Sequence, residues 1–225
     1  MFSKNVVAIV PIKLLDQAKT RLAPLLTPPE RRGLVLAMLS DVLAALHQAP
    51  SITWIGVISR DAAALALATA SGAETLYDEA ADLNGALTQA ARHYADLGAR
   101  GILALPADVP RVTPVAIEAL IAATDIVPSI TLAPSRDGGT NALLARPPLT
   151  VPFRFGPNSL ARHVEAAWEQ DVVARLLHTD AFEDIDTHDD LRALADAPDA
   201  TATQRFIREH GIIEKVSSKG VAVWR

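Results

Sequence analysis

The chain has 225 residues, enough for one large domain with a substantial buried core. Half are hydrophobic and 21% charged, as in a folded soluble protein, and no apolar run approaches the roughly 20 residues of a membrane span. Cysteine is absent, which excludes disulfides and thiolate chemistry, and a net charge of −5 without a dense Lys/Arg stripe argues against a nucleic-acid partner.

The opening MFSKNVVAIVPIK runs straight into a strand-like segment without a signal-peptide core, so cytoplasmic residence is expected. VVAIVP (6–11) is the first predicted strand. It leads into PIKLLDQAKTRLAP, where Lys13, Lys19 and Arg21 either converge on a polyphosphate or form a solvated basic loop. TPPE (27–30) is a capping box opening a helix with the apolar stripe Val35, Met38, Leu39, Val42 and Leu46. Strands are predicted at 52–59 and 74–76. A helix through DLNGALTQAARHYADLG follows, ending at Gly98. Asn84 and Gly85 at its start suit either a purine edge or an ordinary cap.

ILALP (102–106) is the next strand, and ALPADVP places Asp108 just beyond it between two prolines. That position suits a ligand for a hard cation, or a turn residue before the helix capped by Thr113. Strands at 129–135 and 141–145 flank SRDGGTNALL, whose Gly138, Gly139 and Thr140 read equally as an anion-binding loop or a hairpin turn. FRFGPNSLARH then opens a helix, with Gly156 allowing close approach and Ser159 offering a hydroxyl near the helix amides. In EDIDTHDDL, Asp184 and Asp186 alternate and so share a face in extended backbone. Asp186 or Thr187 can also cap the helix that follows, and His188 belongs to its first turn. A further helix is expected at 201–210 and an apolar end at 221–224.

The alternation of strands and helices predicts an α/β domain with a mostly parallel sheet covered by helices on both faces. Ligands of such sheets bind outside the carboxyl ends of the strands. Neither the P-loop pattern nor G-x-G-x-x-G after the first strand is present. One domain is expected over 1–225, with a core at about 6–195 and an extension at about 196–225.

Taken together, PIK…AKTRLAP, DLNGAL, LPADVP, DGGTNALL, FGPNS and DIDTHDDL resemble the guanylyltransferases that make the activated phospho-acid precursor of the deazaflavin coenzyme F-420. DGGTNALL followed by FGPNS is the most specific part, and the similarity covers about residues 6–195. The resemblance implies a Rossmann-like nucleotidyltransferase fold, GTP as donor and Mg2+ as cofactor. It also implies a three-carbon phospho-acid acceptor: phosphoenolpyruvate, 2-phospholactate or 3-phosphoglycerate. It assigns metal binding to Asp108 and to Asp186 in preference to Asp184, and acceptor binding to Thr140, Gly156 and Ser159. Lys13, Lys19 and Arg21 match the triphosphate loop, and Asn84 and Gly85 fall near the guanine. The tail after the last motif and His188, where the related motif has proline, are departures. Competing readings are a cytidylyl- or molybdopterin-type nucleotidyltransferase and a non-catalytic nucleotide-binding regulatory module. The acceptor and the oligomeric state stay open, a symmetric homodimer being one possible state.

Overall fold

The computed structural model describes residues 5–197, 201–212 and 214–215. Its centre is a seven-stranded sheet: β1 (Val6–Ile12), β2 (Ile52–Ser59), β3 (Glu74–Tyr77), β4 (Gly101–Ala104), β5 (Ser129–Pro134), β6 (Thr140–Arg146) and β7 (Val173–Leu176). The order across the sheet is β3-β2-β1-β4-β6-β5-β7. Every pairing is parallel except those of β6, which runs antiparallel to both β4 and β5.

The unbroken apolar run of β1 follows from burial on two sides. Val6, Ala8, Val10 and Ile12 enter one core layer, and Val7 and Ile9 the other. The first layer is covered by α1 (Pro28–His47), α2 (Ala62–Ala70) and α4 (Pro114–Ala122), the second by α3 (Leu83–Asp96) and α5 (Ser159–Glu169). The Thr27/Glu30 capping box opens α1, and all five residues of its predicted stripe are buried. Asp61 and Thr113 accept N-terminal amides of α2 and α4.

α6 (His188–Asp196) and α7 (Ala202–Glu209) complete the first layer through Leu191, Leu194 and Ile207. Asp41 on α1 accepts the backbone N–H groups of Ala202 and Thr203, fastening α7 across it. Gly33 allows the close approach, since a Cβ there would meet the Phe206 ring at 2.5 Å. The helix expected at 201–210 is thus α7, and it covers the core of its own chain. The apolar end at 221–224 lies outside the described residues. Among the described residues no helix is long and apolar enough to cross a membrane.

Topology positions the site. The chain moves outward from β1 to β3 and returns to β4 on the other side, so a crevice opens between the carboxyl ends of β1 and β4. Because β6 is antiparallel, its first residues, Thr140 and Asn141, reach the same end of the sheet. The D-G segment is therefore a hairpin turn, closed by the Ser135 N–H on the Gly139 carbonyl, and also a wall of that crevice.

Candidate active site

A cleft of about 440 Å³ occupies this crevice. The segment after β1 forms one side. It folds as two short 3-10 turns, Leu15–Gln17 and Thr20–Leu22, pinned by buried Leu15 and Leu22. The buried carboxylate of Asp61 accepts the Leu15 N–H at 3.2 Å and pairs with Arg32 at 3.1 Å. Burial opposes its charge, but amides of Leu15, Ala64 and Ala63 together with Arg32 hold its pKa below the usual carboxylate range. Lys19 follows with a left-handed backbone, φ 52°, a sparsely populated state for a residue with a Cβ.

Lys19 aims its ammonium between two carboxylates, 2.7 Å from Asp108 Oδ2 and 2.6 Å from Asp186 Oδ1. Its side chain is only 6% exposed. Burial alone lowers a lysine pKa, yet the two aspartates outweigh it and raise this one above its ordinary value, so Lys19 is charged. Arg21 reaches the outer oxygen of Asp186 at 3.4 Å from an exposed position at the rim, and Lys13 lines the cleft.

The acids meet through a backbone link. The Ile185 N–H donates to the Asp108 carbonyl at 2.9 Å, drawing the 184–186 segment alongside the turn after β4. Ile185 is buried, so by strand alternation Asp184 and Asp186 both face the cleft. Ligand oxygens of Asp108, Asp184 and Asp186 lie within 4.8 Å of one another, giving a hard, all-oxygen donor set able to hold a divalent cation. Burial, reinforced by the charge of Asp108, raises the pKa of Asp184, while the Asn141 amide partly opposes this from 3.1 Å. Thr187 caps α6 in a capping box with Asp190, which leaves the Asp186 side chain to Lys19 and Arg21. His188 sits in the first turn of α6 beside Asp189.

The opposite wall carries hydroxyls, and the Asp137 carboxylate of the hairpin turn also lines the cleft. Thr140 and Ser159 are buried and bonded to each other, Ser159 Oγ donating to Thr140 Oγ1 at 3.2 Å. Gly156 lines the same wall with φ 122°, a backbone state that essentially only glycine adopts. No side chain caps α5: its N-cap Asn158 is left-handed, and the Leu160 N–H goes to the Gly138 carbonyl, tying the two glycine loops together.

Asn84 and Gly85 lie outside the cleft, on a surface depression shared with Asp82 and Arg92. The Asn84 amide is bonded to the Phe155 backbone through one N–H and one oxygen lone pair, donating to its carbonyl at 3.1 Å and accepting its N–H at 2.7 Å. Sequence reasoning did not single out Asn84 as a brace, nor Asn141 or Asp61, whose tertiary partners are distant in the chain and leave no local spacing; His163, read from its position as a partly buried helix residue, is fully buried. A second recess of about 320 Å³ adjoins the cleft, sharing Lys13, Gln17 and Leu83, with Ile58 and Ala86 among its apolar walls and Asp78 and Asp82 at its edge.

This geometry can be set beside known proteins. The family model described as "Guanylyl transferase CofC like" matches residues 6–223. A phosphoenolpyruvate guanylyltransferase of Roseiflexus sp. (strain RS-1) is 42% identical over 97% of this chain and 95% of its own. A 2-phospho-L-lactate guanylyltransferase of Methanobrevibacter ruminantium is 32% identical, covering 92% of each chain. Among solved structures, a nucleotide-diphospho-sugar transferase type protein of Desulfovibrio desulfuricans G20 superposes with a TM-score of 0.78 at 17% identity. It covers 94% of this chain and 98% of its own, a likeness of fold. With the sheet order, the cleft and a match spanning nearly the whole sequence in agreement, the chain belongs to the CofC-like guanylyl transferase family, an enzyme family of Rossmann-like nucleotidyltransferase fold.

Proposed function

We propose that this protein transfers GMP from GTP to the phosphate of phosphoenolpyruvate, releasing pyrophosphate, as a step toward coenzyme F-420. The observation that carries the reading is the contrast across one cleft: three carboxylates and Lys19 on one wall, and Thr140 with Ser159 on the other. Such a cleft suits two anionic substrates, one managed by charge and one by directed hydrogen bonds. Phosphoenolpyruvate is favoured as acceptor because the Roseiflexus relative bearing that name is more similar than the 2-phospholactate relative, at 42% against 32% identity.

In this reaction an oxygen of the acceptor phosphate forms a bond to the α-phosphorus of GTP. The bond to the bridging oxygen breaks, and pyrophosphate leaves with that electron pair. The nucleophile is already anionic at neutral pH, so no general base is needed. The residues must hold two polyanions in line, a form of catalysis that supplies on the order of 7–11 kcal/mol in favourable cases. Asp108, Asp184 and Asp186 are the residues that would hold magnesium, which supplies charge neutralisation at the transferring and leaving phosphate oxygens when bound. Lys13 and Lys19 face the triphosphate with Arg21 at the rim, Thr140, Gly156 and Ser159 line the acceptor pocket, and the adjoining recess takes the guanine.

The test is pyrophosphate release with GTP and magnesium, offering phosphoenolpyruvate, 2-phospholactate and 3-phosphoglycerate in parallel, with CTP in place of GTP as a control. Turnover with GTP and phosphoenolpyruvate is expected. Preference for CTP, or silence with all three acids from protein that still binds GTP, overturns the reading.

A further inference from the structure

His163 stands on α5, one turn after Ser159, with no exposed surface. The transfer reaction needs no base, yet both ring nitrogens of this imidazole have partners. The backbone N–H of Arg154 donates to Nε2 at 2.9 Å. Nε2 therefore carries a lone pair, and a neutral ring must keep its proton on Nδ1. Nδ1, with the ring proton, lies 3.2 Å from Thr140 Oγ1 and donates toward it, while the Ser159 backbone carbonyl shares that proton. Ser159 Oγ donates to the same oxygen, also from 3.2 Å. A hydroxyl has two lone pairs and one proton, so with both lone pairs filled Thr140 can only donate further.

We propose that His163 is a positioning residue for the acceptor: by occupying a lone pair of Thr140 it commits that hydroxyl to donate into the cleft, toward an anionic oxygen of the phospho-acid. This rests on the reading of Thr140 as an acceptor contact, since the single Ser159 hydroxyl proton is given to Thr140. The surroundings keep the ring in the required state. Burial, then the nearby guanidiniums of Arg162 and Arg154, push its pKa down to about 4 against a smaller opposing effect of the Ser159 backbone. A protonated ring would set an N–H against the Arg154 N–H and break the relay. The ring is also fixed in place. Phe155 packs edge-on to it, with centroids 5.0 Å apart, and Asn84 holds the Phe155 backbone from both sides. Asn84 thus acts on the acceptor wall through Phe155. A donor aimed before the anion arrives needs no reorganisation on binding.

Two substitutions separate the ring nitrogens. In His163→Asn the amide lies at the level of Nδ1 and can still donate to Thr140. In His163→Gln it lies at the level of Nε2 and serves Arg154 but not Thr140. Steady-state kinetics are measured with GTP and phosphoenolpyruvate for both, beside Thr140→Ala and with thermal melts of each. His163→Gln is expected to raise KM for phosphoenolpyruvate about tenfold, the scale of one misdirected hydrogen bond. Its kcat and KM for GTP should stay within about threefold of the parent, and His163→Asn should recover most of the loss.

If Thr140→Ala raises the acceptor KM while His163→Gln does not, the role of His163 is overturned and the acceptor wall stands. An unchanged acceptor KM in Thr140→Ala overturns the reading of the wall itself. Equal losses in kcat and both KM values for the two His163 variants also overturn the inference, because a general packing defect does not select a substrate. Should both variants melt below the assay temperature, nitrogen NMR of histidine-labelled parent protein decides: a proton on Nδ1 supports the relay, and one on Nε2 overturns it.

Discussion

The two walls of the cleft differ in how they handle polarity. On the acidic wall, Asp108 and Asp186 are about one-third exposed and held apart by a lysine, an arrangement a divalent cation can replace. On the neutral wall, Thr140, Ser159 and His163 are buried and bonded to one another, and none of the three carries a charge. Charges in contact with solvent can exchange partners during turnover, whereas in the buried relay the His163 proton biases rotatable hydroxyls toward one orientation. In the proposed reaction the acidic wall serves the events that change charge and the neutral wall serves recognition.

Removing one carboxylate should break that contrast most severely. Asp108→Asn keeps the side-chain shape, and the Asp108 carbonyl still receives the Ile185 N–H, so the fold should persist. We expect kcat to fall by at least about 10³-fold, the scale seen when a charge-stabilising group is lost from a reacting centre. A variant with the parent's metal-dependent rate would take Asp108 out of the mechanism.

The neutral wall should fail differently, through acid. His163 has a folded pKa of about 4, depressed from 6.5 by burial first and by Arg162 and Arg154 second. With the folded value below the unfolded one, the unfolded chain takes up the proton first. The stability held above pH 6.5 is therefore lost as pH falls toward 4, by up to about 3 kcal/mol. Denaturant midpoints of the parent should drop across that window, and those of His163→Asn should drop less. Identical pH profiles would mean that the ring is not held neutral.

Much of the fold was legible because its signals are local. The unbroken apolar run of β1, the Thr27/Glu30 box of α1 and the Thr113–Pro114 start of α4 each declare themselves within a few residues. β7 was not among the predicted strands: it has four residues, lies at the sheet edge and is only partly buried, so no strong period marks it. The site was legible as separate segments. Asp108 between its prolines and the alternating pair Asp184 and Asp186 could be read from position. That Ile185 would dock on the Asp108 carbonyl could not, because pairing between distant segments leaves no trace in spacing. Asn84 shows the same limit: a polar residue at a helix start reads as cap or ligand, while its partner is Phe155, 71 residues away.

The cation within the acidic wall gives a sharper test. Lys19→Met leaves Asp108 and Asp186 facing each other without a counter-charge. Turnover should drop by about 10²-fold through loss of a donor to the triphosphate. Manganese binding without GTP should tighten, because no ammonium then competes for the carboxylates. If excess magnesium restores the full rate, Lys19 serves only as a clamp between the acids.

Asp61 tests whether the loop carrying Lys19 must be held from below. Asp61→Asn keeps the shape but weakens acceptance of the Leu15 amide and removes the pairing with Arg32. A loss of about 2 kcal/mol in stability is expected, together with a raised KM for GTP and an unchanged KM for the acceptor. A change confined to the acceptor would mean that the loop does not serve the nucleotide.

The smallest effect should come from Arg21, and it separates two cations that share one carboxylate. Lys19 meets Asp186 at 2.6 Å with 6% of its side chain exposed, while Arg21 meets it at 3.4 Å with 70% exposed. An exposed pair is screened by water and salt and contributes about 0.5 kcal/mol, so Arg21→Ala should change kcat/KM for GTP by less than about fivefold. Raising the salt should shrink that difference further and leave the Lys19→Met defect in place. A large, salt-resistant loss in Arg21→Ala would show instead that the arginine leaves the rim on nucleotide binding and enters the cleft, so that exposure in the free enzyme would not rank the two cations.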